Sequence, residues 1–210
     1  MKTLPCLLAL IFSFVLMSCS PGFRTVTKGD RTYISLQHIA FGRFYLPWPE
    51  GNPEKEKMLY GEEMPNAAFN HVEGNDFIPG QLSIAIPEND TLRYTEGYMA
   101  RRIYVVNRSS DTIFFEGHDY RVHMKLQAKD WHGTWRDIEW LPLSGCGHSY
   151  HTLWLPPESY WSFKMPVYYG MYKTQLRAQL EYEFPLYEKH ILYSQAFEGR
   201  INPGQFMNRE

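Results

Sequence analysis

The densest chemistry in the chain lies in Gly145-Cys146-Gly147-His148-Ser149-Tyr150-His151. Thiolate and imidazole are good ligands for zinc or copper, and Cys-x-His-x-x-His offers Cys146, His148 and His151 at usable spacing. On a strand, alternate side chains share a face, so Cys146 and His148 would point together while His151 turned away. All three converge only if the flanking glycines make a tight loop. No fourth ligand is identifiable, although His118, His123 and His132 exist. Cys146 with either histidine could also act as nucleophile and base in a small hydrolase. The plainer alternative is a loop entering a strand, with the thiol buried as a small apolar group. The chain lacks a Ser/His/Asp signature, a phosphate-cradling glycine loop and a zinc-protease helix. The expectation is therefore a non-catalytic protein with no cofactor.

The second set of candidates is aromatic. With 6 Trp, 15 Tyr and 13 Phe, the chain could present a glycan- or peptide-binding surface, because Trp and Tyr stack on ligands while their polar edges hydrogen-bond. Trp48, Tyr60, Phe69 and Phe77 are the candidates, since they fall in a long irregular segment, residues 42–80, rich in proline. That segment reads either as a binding loop or as a flap over one end of the fold. Trp131, Trp135, Trp140, Trp154 and Trp161 lie within or beside predicted strands, where core packing is the simpler explanation. His123, Arg177 and the other outward residues read as a solvated face.

The element that must position these groups is Tyr172 to Phe184. Thr174, Leu176, Ala178, Leu180, Tyr182 and Phe184 alternate with Gln175, Arg177, Gln179, Glu181 and Glu183, the pattern of a half-buried antiparallel strand. Tyr120 to Lys129 repeats it. One-sided strands need a covering layer, and a facing sheet supplies it. Further short strands are expected at 32–41, 82–86, 102–106, 112–115, 135–140, 151–155, 160–167 and 190–194, with a hairpin loop at Asp130–Thr134 that puts Gly133 at a positive φ. Residues 197–206 read as a tail. About eight or nine strands without helical periodicity predict an all-β, antiparallel Greek-key sandwich in a single domain, residues 32–210. The asparagine turn at 107–111, the paired strands around Gly133 and the glycine-aromatic entry to Leu176-Arg177 resemble an immunoglobulin-like domain, without the Cys…Trp…Cys framework of antibody domains.

The N-terminus gives an address. Lys2 precedes an almost continuous apolar run from Leu7 to Met17, shorter than the ~20 residues that span a bilayer, so it reads as a signal-peptide core. The run ends in Leu16-Met17-Ser18-Cys19, which resembles the lipobox of bacterial lipoproteins. That resemblance implies a leader over residues 1–18, cleavage before Cys19, and lipid on its thiol and new amine. Multiple acyl chains make such anchoring nearly permanent. Ser20 after the cysteine implies outer-membrane sorting, and a periplasm-facing domain fits the lack of an acidic run there. The alternative is an ordinary secretory leader with an incidental cysteine. Residues 19–31 read as a tether. Cys146 would then be the one free thiol of the mature chain, excluding an internal disulfide.

A formal net charge of -2 gives no general attraction to nucleic acid or to anionic lipid. The expected partners are the membrane, through the N-terminal lipid, and an envelope protein or glycan. Asp90-Thr91-Leu92 and Asp111-Thr112-Ile113 resemble the Asp-Thr-apolar acceptors of O-glycosylated envelope proteins, and would place sugar on Thr91 or Thr112.

Overall fold

The computed structural model describes residues 23–36, 40–41, 44–46, 66–74, 77–94, 97–141, 150–183 and 188–206. The leader, Cys19, Trp48, Tyr60, Cys146 and His148 lie outside them. Among the described residues the chain is strand, turn and a single 3-10 turn, Pro203–Phe206. It is an all-β sandwich of antiparallel sheets.

The hub is β15 (Tyr172–Glu183), on the stretch that the alternation marked out. It pairs with β10 (Met124–Lys129) on one side and with β16 (Lys189–Tyr193) and β17 (Phe197–Ile201) on the other. β11 (Trp135–Asp137) extends β10. β8 (Ile113–His118) meets β15 at Glu183 and pairs with β9 (Arg121–Val122) and β13 (Tyr150–Leu155), completing an 8-stranded sheet. The facing sheet has 5 strands centred on β7 (Met99–Asn107), which carries β14 (Ser159–Pro166) on one flank and β5 (Leu82–Ala85) with β6 (Thr91–Arg93) on the other. β4 (Asn70–His71) lies against β14.

Side chains from both sheets interdigitate. Leu176, Ala178 and Leu180 of β15, Met124 and Leu126 of β10, Ile103 and Val105 of β7 and Trp161 and Phe163 of β14 share one core. Phe115 meets Trp161 across it, edge-on, with ring centroids 4.9 Å apart. Burying residues of this size contributes about 1.5–3 kcal/mol each, opposed by chain entropy. Asn107 ties the layers at one end: its amide donates to the Leu155 carbonyl (2.9 Å) and the Asp111 carbonyl (2.8 Å) and accepts from the Ser109 amide (3.0 Å). This is the asparagine turn expected at 107–111. Gly133 has φ 79°, as its hairpin position requires.

Several expectations need correction. Residues expected as a tether fold: β1 (Phe23–Lys28) pairs with β2 (Arg31–Leu36) through a two-residue turn, Gly29-Asp30, with Gly29 at φ 61°. The predicted strand at 32–41 divides into β2 and β3 (Ala40–Phe41), which runs parallel to β12 (Glu139–Trp140). Tyr120 does not begin a strand. With Asp119 (φ 50°) and Tyr120 (φ 62°) it makes the β8–β9 turn, its ring fully buried. The tail contains β17 and the 3-10 turn. Parts of 42–80 are stitched into the fold: Phe44 and Leu46 are core residues, the Val122 amide donates to the Phe44 carbonyl (3.1 Å), and the Leu46 amide donates to the Tyr120 carbonyl (2.9 Å). Asn66 bonds both backbone groups of Trp154, donating to its carbonyl at 2.8 Å and accepting from its amide at 3.0 Å.

Candidate functional site

The outward face of the hub sheet carries a connected side-chain array. The registers bring Gln127 opposite Arg177 and Asp137, and Gln179 opposite Lys125 and Tyr193. Asp137 accepts from Lys125 and from the Gln127 amide, both at 2.8 Å, and that same amide nitrogen donates to Gln179 Oε1 at 2.8 Å. Gln127 Oε1 accepts from Arg177 Nε at 2.9 Å. The Arg177 guanidinium is held between two rings, 4.3 Å from the Trp135 centroid and 3.8 Å from the Tyr193 centroid. Lys129 lies over Trp135 as well, at 5.2 Å. Burial pushes the Arg177 pKa down, yet a guanidinium stays charged at any ordinary pH.

Lys125, Gln127, Asp137, Arg177, Gln179 and Tyr193 sit on strands, and hydrogen bonds link Lys125, Asp137, Gln127, Gln179 and Arg177 Nε to one another. Gln127 and Gln179 are 8% and 7% exposed although they point away from the core. Beside them Ile191 (53%) and Tyr193 (43%) remain open to solvent. His123 closes the array near Glu181 (Nδ1–Oε2 3.9 Å); burial lowers its pKa, against the upward pull of Glu116 and Glu181. At the hairpin tip, burial would raise the Asp130 carboxyl, but bonds from the Thr134 amide, Arg136 and the His132 amide outweigh it and hold the pKa low. The face expected to be simply solvated is thus an ordered one. Sequence alternation assigns its direction but not its lateral partners, which come from strands far apart in the chain.

Of the four aromatic candidates, Phe69 and Phe77 fall among the described residues, and Trp48 and Tyr60 lie outside them. Phe69 packs against the core and edge-on to His71. Phe77 instead joins Tyr104 and Tyr160 on the outer face of the facing sheet, with ring centroids 5.6 and 6.0 Å away. There burial and the hydrogen bond to Asp90 (2.6 Å) push Tyr104 up to about 12. Nor are the strand tryptophans mainly core. Trp161 is buried, Trp135 flanks Arg177, and Trp154 and Trp131 are 37% and 65% exposed.

His151 lies on β13 with its ring 4.8 Å from that of Tyr120, and Cys146 and His148 fall outside the described residues. Among the described residues no three His, Cys, Asp or Glu side chains group as metal ligands. His118 bonds Arg121 (3.0 Å) and lies 5.0 Å from the Tyr150 ring. Thr91 is exposed on β6, while Thr112 is half-buried.

No protein-family model matches the chain, and no curated protein matches it. The X-ray structure of Northeast Structural Genomics Consortium target SoR45 is similar over 64% of this chain and 96% of its own, at 10% identity and a TM-score of 0.36. That likeness is too loose to carry an argument.

Proposed function

We propose that the chain is a lipid-anchored protein of a bacterial cell envelope, moored through Cys19 to the outer membrane and facing the periplasm. Its sandwich binds an envelope protein or glycan rather than catalysing a reaction. The observation that carries the binding role is the Trp135–Arg177–Tyr193 stack with its Gln127–Gln179–Asp137 network. Side chains fixed by neighbours on rigid strands lose little entropy when a partner docks. Arg and Tyr are also the types that dominate interface energetics. The lipobox supports the address, and Ser20 supports the sorting.

Two measurements test this. Metabolic labelling with a fatty acid should tag the full-length protein and lose the tag in Cys19→Ala; an untagged wild type refutes the anchor. A photo-cross-linker placed at Ile191 or Tyr193 in cells should trap one defined species, and Arg177→Ala should abolish trapping while the domain stays folded. Trapping only from Tyr160, on the opposite sheet, refutes the choice of face.

A further inference from the structure

The end of the sandwich that carries the β1–β2 hairpin has the composition of a membrane-contact surface. Cys19 precedes Phe23 by four positions, so an acylated cysteine could stand no more than about 14 Å from the start of β1. Whatever β1 presents would therefore lie close to the headgroups.

What it presents is positive. Cross-strand partners share a face, so Arg24, Val26 and Lys28 of β1 lie with Arg31 and Tyr33 of β2. Lys28 and Arg31 are directly opposite each other, a like-charge pairing that weakens a hairpin in water. Tyr33 packs on Tyr169 (5.8 Å), and the Tyr169 ring is also approached by Lys28 (5.5 Å) and Arg200 (5.8 Å). Arg24, Lys28, Arg31 and Arg200 are all exposed, and none forms a salt bridge among the described residues. Of the nearby carboxylates, Glu198 pairs with Lys173 at 2.9 Å and Asp130 with Arg136 at 3.2 Å, while Asp30 at the hairpin tip stays exposed, 4.0 Å from Arg93.

The same end exposes apolar bulk. Met171 follows Tyr169-Gly170 and is 82% exposed. Trp131 is 65% exposed and touches Phe206 edge-on, which in turn meets Tyr172. Arg200 also donates to the Gly170 carbonyl at 2.9 Å, so it is held beside this segment without a carboxylate partner. Tyrosine, tryptophan and a methionine beside cations that lack carboxylate partners match the water–lipid boundary, where rings sit at headgroup level and cations meet phosphate.

We propose that this end, formed by the β1–β2 hairpin, the Tyr169–Tyr172 segment and Trp131, docks on an anionic bilayer surface and fixes the orientation of the domain. The array around Arg177 is then held in a constant attitude to the membrane. This deepens the lipid-anchor reading without depending on acylation, because the patch should bind lipid by itself. The overall charge of -2 conceals it, since net charge says nothing about where cations gather.

The test uses the whole mature chain with Cys19→Ser, which retains every described residue, in co-sedimentation with vesicles. Binding is expected to phosphatidylcholine vesicles that contain phosphatidylglycerol, weakly to phosphatidylcholine alone, and to fall at high salt. Removing one surface cation should weaken binding roughly fivefold, so Arg24→Gln/Lys28→Gln/Arg31→Gln should lose about a hundredfold. Hydrogen exchange should show vesicle protection in β1, β2 and the Tyr169–Tyr172 segment. Lys189→Gln, on β16 at the opposite end of β15, should change binding little. Equal binding to both vesicle types, an unaffected triple variant, or an equal loss from Lys189→Gln would each overturn the proposal. Failure of fatty-acid labelling would instead refute the anchor and leave the patch standing.

Discussion

Arg177→Ala should destabilise the protein by about 2–3 kcal/mol. Two ring contacts at 4.3 and 3.8 Å contribute about 1 kcal/mol each when partly desolvated, and the bond to Gln127 at 2.9 Å adds about 1.5 kcal/mol for a charged donor. These do not sum fully, because burial of the guanidinium and loss of its rotamers oppose them. For a domain of this size the change corresponds to a fall in Tm of roughly 6–9 °C. Arg177→Lys should recover less than half, since an ammonium is a point charge and cannot lie flat between two rings. Urea unfolding supplies the free energies, and a double-mutant cycle with Tyr193→Leu should give a coupling of about 1 kcal/mol. The reasoning fails if Arg177→Ala costs less than about 0.5 kcal/mol, or if the two substitutions are additive, for the stack would then be a surface arrangement of no energetic weight.

Gly170→Ala should unfold the chain or cost about 3 kcal/mol or more, because its Cβ would fall 2.0 Å from the Ile201 carbonyl carbon, and backbone cannot swing aside; thermal melts of the variant check this. His123 is held with a lowered pKa, so the unfolded chain takes up its proton first as pH falls. The stability it contributes is complete above its ordinary pKa near 6.5 and is lost as pH drops through the lower folded value, and His123→Gln should flatten that part of a Tm-against-pH curve.

The sequence disclosed β15 because its two faces differ in polarity without interruption from Thr174 to Glu183, and burial on one side enforces that pattern. It disclosed β7 as central because Arg102–Val106 is apolar on both faces, and the strand is indeed flanked on both sides. Tyr120 was misread for a physical reason. Its buried ring continues the alternation, but its backbone turns with a positive φ, a conformation usually reserved for glycine or asparagine. The β1–β2 hairpin has a local signal, since Gly29-Asp30 between β-prone runs is a two-residue turn, although the polar composition of residues 19–31 also fits a tether. The Arg177 stack was not legible. Trp135, Arg177 and Tyr193 become neighbours only through the registers of β10, β11, β15 and β16, and no local rule fixes which strands lie side by side.

Asn66 has a wider consequence. Its side-chain amide offers Trp154 one donor and one acceptor, the same complement that a peptide unit of an adjoining chain would bring. At that point the rim of the hub sheet already has its neighbour, supplied by a single side chain. A stray strand or a second molecule arriving there finds no free backbone to zip onto, so growth into a ribbon is blocked at Trp154.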